Sequence, residues 1–436
     1  MKLWSKTNTE DTGSIEKFTV GKDRDFDIML AEYDVLGSIA HTQMLRSIGL
    51  LTDTELKAIH SELNNILREI RRGNFKIDEG VEDIHSQVEL LLTKRLGDAG
   101  KKIHSGRSRN DQVALAIKLF LKASVSRLKD QVKNLFELLI TQSEKFKGHL
   151  LPGYTHFQVA MPSSFGLWFA AYAESLVDDL EQLVAAYHIA NKNPLGSGAG
   201  YGSSFPLDRT LTTTLLNFET MNYNVMYAQM SRGKTEKAVA SALAGIAATL
   251  SKLSMDVCIY INQNFGFISF PAGLTTGSSI MPHKKNPDVF ELIRAKCNRI
   301  QSIPNEITLL INNLPSGYHR DFQLSKEILF PSFEEIRSCI EMTMLMLSNI
   351  IINENILDDE KYKYLFTVEA VNELVNKGMP FREAYQKIGN EIESGQFNFD
   401  DKRQLHHTHE GSIGNLCNDK IVEEMKKVLK KFESSV

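Results

Sequence analysis

A long stripe of apolar residues in the second quarter of the chain limits the choice of fold more than any other pattern. The stripe begins at Ile117 and alternates spacings of four and three residues through Leu121, Val125, Leu128, Val132, Leu135 and Leu139. This spacing keeps the apolar side chains on one face of a single long helix, as in a coiled-coil-like bundle. The pattern therefore predicts a bundle helix that buries this face against other helices.

The same rhythm returns further along the chain. It recurs at Leu243, Ile246, Leu250, Leu253, Val257 and Ile261, and more loosely at Ile293, Cys297, Ile300, Ile307 and Ile311. Pro304 interrupts the looser stripe and predicts a kink there. Residues 163–191 and 332–353 also have a helical pattern, and no convincing alternating strand pattern is present. We therefore predict an all-α fold with domains at 1–110, 111–355 and 356–436, the middle one being the long-helix bundle.

Composition excludes several classes of protein. The net charge of −4 gives no excess of basic residues that would neutralise a nucleic-acid backbone. The N-terminus has no long apolar core, and no stretch of eighteen uncharged apolar residues predicts a membrane span. The four cysteines are scattered, without the spacing of a disulfide scaffold or a zinc site. We expect a soluble cytoplasmic protein that binds neither nucleic acid nor membrane.

A loop rich in glycine, hydroxyl and ammonium groups comes directly before a predicted helix. It reads Gly-Ser-Ser-Ile-Met-Pro-His-Lys-Lys-Asn-Pro over residues 277–287. Backbone N–H groups together with Lys284 and Asn286 suit a carboxylate or a developing oxyanion, because fixed donors need no reorganisation when charge appears. A solvated basic turn has the same composition, so the residue types alone leave both interpretations open.

A second polar segment lies between two predicted helices. Thr155 and His156 stand side by side in the string Gly-Tyr-Thr-His-Phe-Gln at 153–158. An imidazole there is suited to proton transfer. On the residue types alone, a packed or surface histidine is the more common outcome.

A third segment opens the helix that carries the first stripe. Arg109 and Asn110 follow Ser108 at the predicted start of this helix. An arginine at this position can hold a carboxylate through two hydrogen bonds. A plain N-terminal cap by Ser108 or Asn110 is the structural alternative.

The loop at 277–287 resembles the signature loop of the fumarase/aspartase superfamily. Four further strings resemble its argininosuccinate lyase branch, namely HSGRSRNDQ at 104–112, PGYTHFQ at 152–158, PLGSGA at 194–199 and YHRDFQ at 318–323. The resemblance extends from EYDVLGSIAH at 32–41 and VEDIHSQVE at 81–89 to KGMPFREA at 377–384. It implies a three-domain helical subunit and a homotetramer with a shared helical core, whose active sites each combine segments of three subunits.

The resemblance also implies a reaction and the residues that carry it out. The reaction is the reversible β-elimination of argininosuccinate to L-arginine and fumarate in arginine biosynthesis, catalysed by a carbon–nitrogen lyase without metal or organic cofactor. Ser278 takes the role of the base, which requires donors that hold its hydroxyl as an alkoxide, with Lys284 a candidate. His156 is implied to be oriented by Glu291, and Lys284 with Asn286 to stabilise the negative charge of the intermediate.

Further positions match substrate-contacting or site-organising positions of the family. They are Asp27, Asp83, His85, Arg109, Asn110, Thr155, Asn286, Tyr318, Gln323 and Lys326. The resemblance implies that Tyr318, Gln323 and Lys326 face the arginine half of the substrate. By charge, Asp27 suits the guanidinium or amino end, whereas Arg109, Thr155, Lys284 and Lys326 suit carboxylates.

The chain departs from the family pattern in two places. Asp23 stands where the family commonly has a serine that touches substrate, and it is not included among the predicted site residues. At 230–234 the chain reads Met-Ser-Arg-Gly-Lys, where relatives usually have Ser-Asp/Glu-Arg-Asp-Phe, so that only Arg232 is retained. The string HHTHE at 406–410 lacks the H-E-x-x-H spacing of a metal site, and we interpret it as a polar loop.

The sequence leaves two rival interpretations of the function open. One is another fumarate-releasing lyase of the superfamily, of the adenylosuccinate lyase, aspartase or fumarase type. The other is a structural protein on the same scaffold, like the lens crystallins. The presence of both Ser278 and His156 favours an active enzyme.

Overall fold

The fold is seen in a computed structural model that describes residues 12–399, 405 and 407–433. Helices dominate these residues. The helices of the first third are α1 Thr12–Val20, α2 Asp23–Asp27, α3 Ala31–Ser47, α4 Asp53–Arg71, α5 Ile84–Leu96, α6 Asp98–Lys101 and α7 Arg109–Phe146. The middle of the chain forms α8 Phe165–Ala190, α9 Arg209–Leu215, α10 Val225–Met230, α11 Lys234–Tyr260, α12 Asp288–Ile300, α13 Ile303–Leu310 and α14 Leu324–Ser348. The last part forms α15 Thr367–Asn376, α16 Phe381–Glu393 and α17 Asn418–Glu433.

Within the described residues, short strands join in four two-stranded pairs. They are β1 Leu150–Thr155 with β2 Gln158–Ser164, β3 Lys192–Asn193 with β4 Thr220–Met221, β5 Ile268–Ser269 with β8 Ile351–Ile352, and β6 Thr276–Gly277 with β7 Lys285–Asn286. The predicted all-α class is confirmed, because these strands are small additions to a helical bundle.

The apolar stripes are the core of this bundle. All seven stripe residues of α7 are at most 2% exposed. On α11 the stripe from Leu243 to Val257 is equally buried, and only Ile261, just past the helix, is partly exposed. The looser stripe is divided between α12 and α13, which are separated at residues 301–302, two residues before Pro304. The predicted interruption near Pro304 is therefore present.

Helices α7, α8 and α11 run along one another and define two ends of the bundle. Phe146 at the C-terminal end of α7 stacks on Phe169 near the start of α8, with ring centroids 6.2 Å apart. The indole Nε1 of Trp168 donates a hydrogen bond to Asp256, near the end of α11, at 3.0 Å. Helix α8 is therefore antiparallel to both α7 and α11, and the C-terminal ends of α7 and α11 lie together.

Two local predictions were wrong. The segment around Thr155 and His156 is the end of an antiparallel hairpin, not a turn between two helices. Pro152, Gly153 and Pro162 interrupt its strands, so they lack the alternation that identifies a strand in a sequence. Helix α14 begins at Leu324 rather than at residue 332, and Pro331 lies inside it.

Helix α11 is long and apolar enough to cross a membrane by length and composition alone. Lys252 and Asp256 interrupt its apolar residues, so the prediction that no stretch has eighteen uncharged apolar residues in a row still holds. Its position explains the composition. It lies inside the bundle, where Leu243, Ile246 and Leu250 are buried against neighbouring helices. A central bundle helix passes the same test as a membrane span.

Of the string at 406–410, His406 lies outside the described residues, and His407 contacts Glu369 at 3.0 Å.

Candidate active site

A cleft at one end of the bundle collects eight of the predicted substrate-contacting residues. It encloses about 750 Å³, including space open to solvent. The predicted residues that line it are Asp27, Asp83, His85, Arg109, Asn110, Tyr318, Gln323 and Lys326. They are contributed by α2, the N-cap and first turn of α5, the first turn of α7, the segment that leads into α14 and the first turn of α14. Val20, Asp23, Glu82, Val113, Arg232 and Arg320 complete the lining.

A buried lysine between two carboxylates forms one side of the cleft. The ammonium of Lys326 lies 2.7 Å from Asp23 and 2.8 Å from Asp27. The second oxygen of Asp27 accepts the backbone N–H of Ile84 at 2.8 Å. Burial lowers the pKa of Lys326, but the two carboxylates outweigh burial and raise it above its ordinary value. Lys326 is therefore a cation whose charge is already neutralised by the protein.

Arg109 is held by the first turn of α5. Asp83 caps α5 by accepting the N–H of Ser86 at 2.6 Å, and the same oxygen lies 3.3 Å from the Arg109 guanidinium. Arg109 also donates to the Ser86 hydroxyl at 3.1 Å. The capping box of α7, formed by Ser108 and Asp111, fixes the start of the helix that carries Arg109. The structural interpretation of this segment is therefore confirmed, since Ser108 caps the helix, and Arg109 lines the cleft, where its predicted contact with a carboxylate of the substrate stays a prediction.

His85 is oriented from behind by a buried carboxylate. Its Nδ1 lies 2.7 Å from Asp34, which also accepts a hydrogen bond from Gln112 at 2.7 Å. Burial raises the pKa of Asp34, against the opposing charge of the buried Arg107. Asp34 lies inside the quoted string EYDVLGSIAH, but sequence reasoning did not identify it. The sequence pattern does not indicate that Asp34 lies next to His85 in the fold.

The far wall of the cleft contains the retained arginine of the altered segment. The Arg232 guanidinium pairs with Glu236 at 3.0 Å, and both side chains are at most 3% exposed. Arg320 contacts Glu82 at 3.2 Å on the rim, and Gln323 donates to the carbonyl of Thr19 at 2.9 Å. Glu82 and Arg320 lie inside quoted family strings and were not selected as site residues.

The remaining predicted residues lie in two exposed loops, except Glu291, which lies on the first turn of α12. Thr155 and His156 end the β1–β2 hairpin, where His156 and Phe157 have φ values of 53° and 57°. Two successive positive φ angles are typical of a type I′ hairpin turn, which usually selects asparagine and glycine. The side chains of His156 and Phe157 are exposed, and so is that of Thr155.

The signature loop joins β6 to β7 and leads directly into α12, as predicted. The hydroxyl oxygen of Ser278 accepts the N–H of Met281 at 3.1 Å and that of Ile280 at 3.4 Å. Both donors are backbone amides two and three residues further along the same loop, and they favour negative charge on this oxygen. In the part of the chain that the structure describes, the Lys284 side chain makes no hydrogen bond or ion pair.

The predicted pairing of His156 with Glu291 is not formed within one chain. Both side chains are exposed, and over residues 12–399 they have no hydrogen bond to each other. Glu291 lies on the first turn of α12, opposite Cys258 near the end of α11.

The cleft and the two loops lie at opposite ends of the bundle. The cleft contains Arg109 at the start of α7 and Arg232 just before α11, whereas the hairpin and Glu291 follow or face the far ends of these helices. A helix of the length of α11, 27 residues, spans roughly 40 Å at about 1.5 Å per residue. Thus one chain does not bring Ser278 and Arg109 to the same small molecule.

Comparison with known proteins identifies close relatives. A family model described as Lyase matches residues 14–302. An argininosuccinate lyase from Bacteroides thetaiotaomicron is 60% identical over 431 residues, covering 99% of this chain and 96% of the relative. An argininosuccinate lyase from Thermotoga neapolitana is 39% identical over 387 residues, covering 89% of this chain and 97% of the relative.

Solved structures share the fold at lower identity. An EDDS lyase variant with bound fumarate has a TM-score of 0.75 at 20% identity, covering 96% of this chain and 90% of that structure. A fumarate lyase:delta crystallin from Brucella melitensis has a TM-score of 0.71 at 16% identity, covering 95% and 92%. At this identity the similarity concerns the fold alone.

Proposed function

Since this chain belongs to the argininosuccinate lyase family, we propose that it cleaves argininosuccinate reversibly into L-arginine and fumarate by β-elimination, as a carbon–nitrogen lyase of the cytoplasm. The observation that carries this proposal is the match of 60% identity over nearly the full length of an argininosuccinate lyase. The cleft of charged and hydrogen-bonding residues at the start of α7 is suited to a substrate with several carboxylates and a guanidinium.

In the proposed mechanism, Ser278 removes the β proton of the succinyl group and the electron pair expels the guanidinium nitrogen. The two amide N–H groups on its hydroxyl oxygen support the base role, because they stabilise the alkoxide. Lys284 and Asn286 stabilise the charge that gathers on the adjacent carboxylate. His156, oriented by Glu291, assists the proton transfer.

We propose that the active enzyme is a homotetramer with composite sites. The length of α11, roughly 40 Å at about 1.5 Å per residue, separates the end of the bundle that holds the cleft from the end that holds the two loops. This separation supports the assembly, because one chain cannot use both ends on one substrate. A second copy that runs antiparallel along the bundle would bring its loops to the cleft of the first. Exposed apolar residues on the bundle helices, such as Leu292, Leu309 and Leu345, provide a surface for the contact.

The direct test is to follow the ultraviolet absorbance of fumarate with purified protein. We expect fumarate from argininosuccinate and none from adenylosuccinate, aspartate or malate. Release from one of the other three instead would identify a different branch of the superfamily. No release from any of them would favour a structural relative of the crystallin type.

A further inference from the structure

The position of Lys326 changes the roles that charge alone suggested for this side of the cleft. Lys326 was expected to hold a substrate carboxylate, and Asp27 to hold a substrate cation. The ammonium of Lys326 is instead bonded to Asp23 and Asp27, and its side chain is 5% exposed. A carboxylate from the substrate would have to displace one of these two partners.

Asp27 is poorly placed to meet a ligand. Its side chain is 2% exposed, and one oxygen is bonded to Lys326 while the other accepts the N–H of Ile84. Asp23 is 16% exposed and has one oxygen on Lys326. Within residues 12–399, its other oxygen has no hydrogen-bond partner. Asp23 is therefore the member of the cluster that has an acceptor available to the cleft.

The charged residues that line the cleft pair with one another except at Lys326, where two carboxylates meet one ammonium. The other charged groups of the lining are paired one to one, Arg109 with Asp83, Arg320 with Glu82, and Arg232 with Glu236 behind the wall. Lys326 meets two carboxylates, so within one chain the cluster with Asp23 and Asp27 has one net negative charge when both are ionised. Burial raises the pKa of both carboxyl groups, that of Asp23 to about 6, so the ionised cluster needs a compensating charge. A partly buried excess charge is stabilised by a ligand group of opposite sign.

We propose that Asp23 is a specificity-determining residue that binds a cationic nitrogen of the arginine half of the substrate. This inference deepens the proposed function and depends on it for the identity of the substrate. The guanidinium and the ammonium of that half share the required chemistry, which is a positive charge with N–H donors. Lys326 then neutralises and positions Asp23 rather than binding a substrate carboxylate itself.

The test compares Asp23→Asn and Asp23→Ser with a matched control, Asp25→Asn, which removes the same charge from an exposed position on α2. In steady-state assays with argininosuccinate, we expect KM to rise at least about tenfold in both Asp23 variants, the effect of losing one charge-assisted hydrogen bond. We expect kcat to stay within about threefold and Asp25→Asn to match the wild type. An Asp23→Asn variant with the KM of the wild type would overturn the inference.

Inhibitor binding separates recognition from a merely structural role. Calorimetry of the assembled protein with L-arginine should give binding about tenfold weaker in Asp23→Asn, whereas succinate, which has no cation, should bind as in the wild type. Equal weakening of both ligands would mean that Asp23 only positions Lys326, and would overturn the proposal. Citrulline distinguishes the two cations, since it keeps the ammonium of arginine but lacks the guanidinium charge. Agmatine keeps both cations and lacks the carboxylate, so it tests whether the carboxylate is needed for binding.

The result for Asp23 can be told apart from the result for the proposed function. A wild-type protein that releases no fumarate from argininosuccinate contradicts the proposed function, whatever Asp23 does. The arginine and succinate arms then still decide the role of Asp23, because they need no turnover. Wild-type protein that binds neither arginine nor agmatine would overturn the inference.

Discussion

At the tip of the β1–β2 hairpin, two bulky residues adopt a backbone conformation that usually selects glycine or asparagine. His156 and Phe157 both have positive φ, and the Phe157 side chain is 82% exposed. Left-handed backbone costs about 1–2 kcal/mol for an ordinary residue, and the exposed ring gains nothing in a lone chain. Such strain is typical of functional positions. The strain and the exposure of the tip are consistent with the composite site proposed above, in which the tip meets the cleft of another subunit.

Ser278 and His156 are expected to be needed for turnover but not for folding. Ser278→Ala and His156→Asn should each lower kcat by at least about a thousandfold, with an unchanged oligomer and melting temperature, because both residues lie in exposed loops outside the apolar stripes. The measurements are fumarate release, gel filtration and thermal unfolding. Ser279→Ala is the matched control in the same loop and should stay active. Near-wild-type rates in Ser278→Ala would contradict the assignment of the base.

At the scale of single elements, the turn before α11 explains one departure from the family pattern. Gly233 has a φ of 74°, and a Cβ built there would lie 2.4 Å from the Ile311 side chain. Its N–H donates to Glu236, which also holds Arg232. A glycine is therefore required by this turn and by its close approach to α13. The aspartate that relatives usually have at this position does not fit here.

Gly233→Asp is accordingly expected to destabilise this chain rather than restore a family feature. Positive φ together with the clash at Ile311 should lower the free energy of unfolding by about 2–4 kcal/mol. Chemical denaturation measures the loss, with Gly148→Ala as the control, since nothing lies within 4 Å of a Cβ at Gly148 and its φ is not positive. Equal stability of Gly233→Asp and wild type would show that the turn can rearrange.

The interface between α8 and α11 contains a carboxylate that should make stability depend on pH. Burial raises the pKa of Asp179 from 3.8 to about 6, although the Thr249 hydroxyl donates to it at 2.7 Å. The folded chain therefore holds this proton more tightly than the unfolded chain does. The stability that Asp179 contributes is present below about pH 4 and is lost as the pH rises through about 6.

The substitution Asp179→Asn should remove this loss of stability at high pH. We expect the variant to be more stable than the wild type by about 1–3 kcal/mol at pH 8, and the difference to shrink toward pH 4. Urea denaturation at several pH values measures the effect. Asp178→Asn, one residue away and exposed, is the control and should show only a small trend in the same direction, because its charge is the weakest of the causes that act on the pKa of Asp179. A difference that does not change with pH would contradict the raised pKa.

The bundle helices were predictable from the sequence because their stripes are regular and fully buried in one chain. Every stripe residue of α7 is in the core, and α12 begins where the signature loop ends. The hairpin was missed because Pro152 and Pro162 disrupt its strand pattern. The helical pattern was recognised only from residue 332 onward, whereas α14 begins at Leu324 and continues through Pro331, a residue that usually ends a helix. Local patterns thus predicted long elements and failed where proline breaks the usual rules.

At the scale of the whole molecule, family motifs predicted the residues of the cleft but not their partners within it. Eight predicted positions meet there, although they come from residues 27–326 of the chain. The bonds of Lys326 to Asp23 and of His85 to Asp34 depend on tertiary packing, and no local pattern contains them. The separation of Ser278 from the cleft follows from the lengths of α7 and α11, so it became apparent only once the helices were assembled.

This separation leads to a test of the composite site by mixing two inactive variants. Ser278→Ala impairs the loop end of a subunit and Arg109→Gln the cleft end, so each pure variant should be inactive. If each site takes its loop and its cleft from different subunits, an equal mixture that is dissociated and reassembled should regain about one quarter of wild-type activity, because a quarter of the sites receive two intact halves. Pure variants carried through the same procedure are the controls. A mixture that stays as inactive as its parents would mean that each site is built within one chain, and that the two ends of the bundle do not cooperate on one substrate.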